Sequence, residues 1–179
     1  MRMIGKRAPV LAAVVLMAAV VCPAGPAAAR AAGHAAASTP RCRLSQLSLA
    51  QPKSTGAAGS VRMRFVFTNV SATTCKLFGY AGMQLRNARG AALPTDVRRG
   101  TSNVVPPEPE VDVVMTHSQH ASFYAGYSNV PTGGQGCKVS TSVEVTPPND
   151  TKHFTLRLAI APCGGILTLS PVVHGRLPL

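Results

Sequence analysis

The segment Thr116-His117-Ser118-Gln119-His120 holds the spacing in this chain best suited to chemistry. Two imidazoles three residues apart can ligate zinc or copper if the rings converge and a third ligand arrives. In a strand that separation puts them on opposite faces, whereas in a turn they can meet. His153 or His174 could supply the third ligand, but no spacing ties either to the pair. The metal expectation is therefore none, with His117 and His120 as the candidates.

Other catalytic patterns are weaker. The acids are Asp96, Glu108, Glu110, Asp112, Glu144 and Asp150. Glycan hydrolysis needs two carboxylates converging on one bond. Glu108 and Glu110 lie among prolines, and Glu110 shares a strand face with Asp112, which reads as solvation of an edge. No G-x-S-x-G nucleophile elbow occurs. Gly133-Gly134-Gln135-Gly136 lacks the lysine and the following helix of a phosphate cradle. No cofactor is expected. Asn69-Val70-Ser71 matches a glycosylation sequon but reads as a β-turn.

The chain of 179 residues carries 18 Lys and Arg against 6 acids. The alternating run Arg62, Arg64 lies on the polar side of a strand, and Lys76, Arg86, Arg89, Arg98 and Arg99 could extend it into a basic face. Such a face attracts polyanions: wall teichoic acid, anionic lipid head groups, nucleic acid. Recognition of single-stranded nucleic acid usually adds aromatic stacking platforms. Val66 and Thr68, not rings, share the face with the arginines, so no specific nucleic-acid binding is expected. A third contact candidate is the Gly-rich loop from Tyr127 to Gly136, with Tyr124, Tyr127 and Asn129, because the loops at the ends of a sandwich are where binding sites grow.

The N-terminus sets the compartment. Arg2, Lys6 and Arg7 precede an apolar stretch, Val10 to Val21, and an A-x-A site at Ala27-Ala28-Ala29. This reads as a secretory signal over residues 1–29, with a mature start at Arg30. The apolar stretch is short for a membrane-spanning helix. Lipid anchoring at Cys22 is disfavoured, because Val21 is the wrong residue before such a cysteine. Export leaves four cysteines, Cys42, Cys75, Cys137 and Cys163, and an even number in an oxidising compartment argues for two disulfides. Of the three connectivities, Cys42–Cys75 and Cys137–Cys163 are expected, since each joins neighbouring strand regions. Each bridge would contribute about 3.5 to 4 kcal/mol by loop-closure entropy. No C-x-x-C suggests zinc, and no free thiol is left for Cys/His catalysis.

The elements that must position these groups are strands. Gly59 to Tyr80 contains the strictest alternation, with Val61, Met63, Phe65 and Phe67 on one face, and reads as a core hairpin with a turn at Asn69-Val70-Ser71. Cys42 to Gln51 reads as a first strand, and Pro52 to Gly59 as a turn. Strands follow at Met83 to Asn87, Val111 to Met115, Ala121 to Tyr127, Cys137 to Val145, Phe154 to Ile160 and Ile166 to Leu169. Ala88-Arg89-Gly90 reads as a hairpin turn, Thr95 to Thr101 as a polar stretch, and Val104 to Pro109 as a proline-rich connection. Eight or nine short strands, no convincing amphipathic helix and regular turn signals predict one all-β domain, an antiparallel two-sheet sandwich over 42–177 after a flexible leader over 30–41. A closed barrel is the alternative.

These residues also carry a resemblance. The first cysteine with Leu44, then Gly-Ser before an alternating strand, Phe67-Thr-Asn-Val-Ser71, Cys75-Lys-Leu-Phe-Gly-Tyr80, Val145-Thr-Pro-Pro148 and a closing Cys163-Gly-Gly-Ile-Leu-Thr-Leu-Ser-Pro-Val172 follow one another in that order. The chain resembles the exported actinobacterial domain-of-unknown-function family numbered 4232, over roughly Cys42 to Gly175. The resemblance implies an immunoglobulin-like sandwich in secreted or lipid-anchored proteins with no established activity. One departure is that Thr116–His120 stands where such domains tend to carry a Pro-Gly turn. The expected function is a secreted, non-enzymatic, envelope-associated or extracellular binding module, whose partner is an anionic wall polymer or an extracellular protein. The alternative is an extracellular hydrolase or metal-binding protein using the Thr116–His120 loop.

Overall fold

The computed structural model describes residues 38–134 and 136–179. The signal segment 1–29, Cys22 and most of the leader lie outside the described residues. No described helix is long and apolar enough to cross a membrane.

The domain is all-β, with twelve strands among the described residues. A single 3-10 turn, Leu44–Gln46, precedes β1 (Leu47–Leu49). Then come β2 (Lys53–Ala57), β3 (Ser60–Asn69), β4 (Cys75–Leu77), β5 (Gly82–Arg86), β6 (Asp96–Arg99) and β7 (Val113–Met115). β8 (His120–Ser128), β9 (Ser142–Thr146), β10 (Phe154–Arg157), β11 (Ile166–Leu169) and β12 (Val173–His174) complete the chain. The large sheet runs β1-β3-β8-β11-β6, with β2 also on β3 and β12 also on β8. Facing it are a three-stranded sheet, β10-β9-β5, and the pair β4-β7.

The spine is the antiparallel ladder of β3 and β8, from Ser60 opposite Ser128 to Thr68 opposite His120. The two-residue period of β3 sends Met63, Phe65 and Phe67 inward, where Phe123 stacks on Phe65 at 5.1 Å between centroids and on Phe67 at 5.6 Å. Leu167 and Leu169 of β11 join them from the same sheet. Met83, Leu85, Val143, Val145 and Leu156 close the core from the opposite layer. Both expected disulfides are present. Cys42–Cys75 ties the entering chain to β4, and Cys137–Cys163 ties the loop after β8 to the turn before β11.

Several sequence readings need correction. Gly59 to Tyr80 is not a hairpin, because β3 pairs with β1, β2 and β8, whereas β4 pairs with β7 in the facing layer. The turn at Asn69 changes layer instead of reversing within a sheet. Pro52 to Gly59 is not a turn throughout: β2 forms an edge strand on β3, and only Ala58 and Gly59 turn, both at positive φ (50° and 79°). Positive φ at both central residues suits the twist of a two-residue hairpin. Thr95 to Thr101 contains β6, which joins β11 in parallel, so the sheets are not wholly antiparallel. The polar side chains of β6 hid a strand whose order comes from main-chain bonds. Val139 does not alternate inward and is 61% exposed, because the ladder of β9 starts only at Ser142.

Asn69 is the hinge of both layer crossings. It is fully buried. Its Nδ2 donates to the carbonyls of Thr73 and Met115, each at 2.9 Å, and its Oδ1 accepts from the Ser71 N–H and hydroxyl. One amide thus holds both the β3–β4 turn and the end of β7. With both amide hydrogens engaged in the interior, the Asn69-Val70-Ser71 triplet is a turn. Removing this amide strands two buried carbonyls. Asn69→Ala is expected to cost about 3 kcal/mol in urea denaturation, several times the cost of Asn87→Ala at the exposed β5 turn.

Candidate functional site

The histidine loop joins β7 to β8. Ser118 takes positive φ (63°), its N–H donates to the Asn69 carbonyl at 2.8 Å, and the Gln119 side chain accepts from the Thr116 N–H at 2.9 Å. Exposed His117 donates from Nδ1 to the Ser71 carbonyl at 3.0 Å. His120 lies in β8, with Nδ1 2.9 Å from the Thr68 hydroxyl and Nε2 3.1 Å from an Arg176 nitrogen. A guanidinium only donates, so Nε2 must accept and the ring is neutral with its proton on Nδ1. The two imidazoles are therefore held by different groups, and a metal at Nε2 would have to displace a guanidinium. No cluster of three His, Cys, Asp or Glu suited to a metal ion forms among the described residues.

The basic set does not form one face. Its members lie on β3, β4, β5, the β5 turn and β6, in three different sheets. Three of them meet carboxylates: Lys76–Asp112 at 2.7 Å, Arg86–Glu144 at 2.9 Å and Arg98–Asp96 at 3.0 Å. Arg99 lies over the Tyr80 ring at 5.6 Å, and Arg89 stands exposed at the hairpin tip.

The polar side of β3 is also not the open surface its pattern predicts. Val105, Tyr124, Val173 and Leu177 form a second, smaller core over it, and Val66 is 8% exposed. The C-terminal segment straps the outer face of β8. The Leu177 N–H donates to the Ser122 hydroxyl at 2.8 Å, Arg64 donates to the Leu177 carbonyl, and the Tyr124 hydroxyl donates to the Pro178 carbonyl. Arg62 stacks on the Tyr124 ring at 4.9 Å. A ring thus does stand beside the arginines, contrary to the sequence reading, but at 2% exposure it is closed to an incoming base.

The same burial removes Tyr124 from the loop-contact set. Tyr124 and Tyr127 are three apart in β8, so they point to opposite faces, and Tyr127 packs against the main core. Exposed Asn129 holds the loop's first turn through its N–H to the Gly59 carbonyl at 2.9 Å.

A concavity of about 590 Å³ lies elsewhere. The entering segment, Pro40 to Ser45, forms one wall and the β9–β10 turn, Asn149 to Lys152, the other. The main chain pins the entering segment: the Lys76 N–H donates to the Pro40 carbonyl at 2.8 Å, the Cys42 N–H donates to the Lys76 carbonyl at 2.9 Å, and the disulfide fixes Cys42. Asp150 joins the walls by accepting from the Leu44 N–H at 2.7 Å and from the N–H groups of Thr151 and Lys152. Desolvation alone would raise its carboxyl pKa. The backbone donors of Lys152, Leu44 and Thr151, with the Lys152 charge, outweigh that and hold it below the ordinary carboxylate range. Arg41, Arg43 and Lys152 line the cleft, all exposed, and none forms an ion pair among the described residues. Sequence reasoning placed Arg41 in a leader and did not single out Lys152. The available signal was a cysteine flanked by two arginines, which becomes legible once the disulfide is known to pin it.

His120 gives a pH test of the loop. Desolvation first, and then the Arg176 charge, lowers its pKa below 6.5. A histidine with a depressed native pKa stabilises the fold only while neutral, and that stability is lost as pH falls from about 6.5 through the native value. NMR titration should find His120 titrating below the ordinary histidine value of 6.5. The fall in thermal stability from pH 7 to pH 5 should be smaller in His120→Gln than in wild type.

No curated protein and no solved structure matches the chain. The family model described as "Domain of unknown function (DUF4232)" matches residues 42–173, from the first disulfide cysteine to the start of β12. That span takes in both disulfides and the β3–β8 spine, and the chain belongs to the DUF4232 family.

Proposed function

We propose that this domain is an exported, non-catalytic binding module of the cell envelope, and that it holds an anionic polymer in the cleft between the entering segment and the β9–β10 turn. The reading takes the signal-like N-terminus, which lies outside the described residues, together with a domain braced by two disulfides. The observation that carries it is the cleft's charge: three cations with no ion pair among the described residues face one carboxylate that already accepts three backbone N–H groups. Cations left unpaired on a concave surface focus the field there and favour a polyanion over an isolated ion. The seven basic residues singled out by sequence serve less well, because several are neutralised and they are spread over three sheets.

The test is retention of the protein on purified anionic wall polymer, with inorganic polyphosphate as a second probe. Binding at about 50 mM salt should disappear by about 500 mM, as counterion release requires. Arg41→Ala/Arg43→Ala/Lys152→Ala should weaken it at least about tenfold, while Arg98→Ala/Arg99→Ala changes it little. Retention that resists high salt, or that survives the cleft substitutions, would contradict the proposal.

A further inference from the structure

Arg62 differs from Arg64 and Arg86, whose Nε atoms are likewise buried and unpartnered but whose guanidinium ends bind the Leu177 carbonyl and Glu144. Among the described residues it has no hydrogen-bond or ion-pair partner, and its Nε is buried with nothing to receive its proton. The attraction that holds it is the stack on Tyr124. Arginine carries five N–H donors in a planar fork, and leaving such donors unpaired near the interior costs stability. The side chain faces a pocket of about 220 Å³ lined by Thr55, Gly56, Ser60, Asn103 and Val104.

The pocket is built, not incidental. Thr55 of β2 lies directly opposite Arg62 on one side, and Gly126 of β8 lies opposite on the other. Because Gly126 has no side chain, Val104 and Val105 settle over the sheet there; a Cβ on Gly126 would stand 2.5 Å from Val105 Cγ2. The loop that brings them is closed by the Ser102 N–H to the Val105 carbonyl at 3.0 Å and by the Val105 N–H to the Ser102 hydroxyl at 3.2 Å. This closure sets Asn103 beside Arg62.

The geometry points to a binding site for a single carboxylate, held by the Arg62 fork with Thr55, Ser60 and Asn103 as neutral partners. Arg62 is the one charged group among the described residues lining the pocket, so the site balances one negative charge. A phosphate dianion would lack a second cation. The planar fork matches two carboxylate oxygens, and stacking on Tyr124 sets the guanidinium plane before the ligand arrives. The volume is below the range of about 300–1,000 Å³ typical of drug-sized ligands, which suits a small acid or the carboxylate end of a chain. The site lies apart from the cationic cleft and does not depend on the envelope-binding reading.

NMR titration of the isotopically labelled protein tests it, using acetate and N-acetylglycine as probes, inorganic phosphate as the competing anion, and constant ionic strength set with chloride. Saturable shifts are expected at the Arg62 Nε–H and at the Thr55 and Asn103 amides. Arg62→Lys keeps the charge but not the fork and should weaken binding about tenfold or more. Asn103→Ala, at an exposed loop tip, should weaken it several-fold without altering the fold. Arg41→Ala/Arg43→Ala/Lys152→Ala should leave it unchanged. Shifts that rise linearly and are matched by chloride, tighter binding of phosphate than of carboxylate, or undiminished binding in both Arg62→Lys and Asn103→Ala would overturn the assignment.

Discussion

The β3–β8 ladder is the constraint on which the rest of the structure depends, because it is covered on both sides. Its inner face carries the stacked rings of Phe65, Phe67 and Phe123. Its outer face carries Tyr124, sealed by Val105, Val173 and Leu177. A strand pair buried on both faces cannot slip by one residue without exchanging phenylalanine for arginine in the core. Register is thus fixed at this ladder, and the neighbouring strands inherit it. β2 and β1 pair with β3, while β11 and β12 pair with β8, all in positions this ladder dictates.

The two disulfides act at the margins of this spine. Cys42–Cys75 fastens the entering segment to β4, and Asp150 fastens the same segment to the β9–β10 turn. Together they turn the segment that enters the domain into one wall of the concavity of about 590 Å³. Cationic side chains on a wall held by covalent and main-chain bonds lose less freedom on binding than the same residues on a free tail. That is the physical link between the bracing and the proposed recognition of an anionic polymer.

Much of this was legible in local pattern. The period-two run of β3 named its own core residues, cysteine parity gave the bridges, and Ala88-Arg89-Gly90 announced its turn. What escaped was non-local. Arg62 and Arg64 alternate outward as a wet face should, but Arg62 stacks on Tyr124 and Arg64 donates to the carbonyl of Leu177, more than a hundred residues on. The turn at Asn69 is readable as a turn, yet nothing local says whether the chain returns to its own sheet or crosses to the other. β6 carries a single apolar residue, Val97, too little pattern to mark a strand, and its place is set by parallel main-chain pairing with β11. The histidine pair stood out by spacing, but its partners, Ser71, Thr68 and Arg176, are set by tertiary structure.

Native-state hydrogen exchange measures the role of the β3–β8 ladder most directly. Amides of Phe65, Phe67, Phe123 and Ala125 should exchange only through global unfolding, with a free energy equal to that from denaturant, while β2 and β6 open locally at lower cost. Exchange of the central amides ahead of those in β5 and β9 would show that the domain is organised around another element, and would contradict the ladder's place as the spine of the fold.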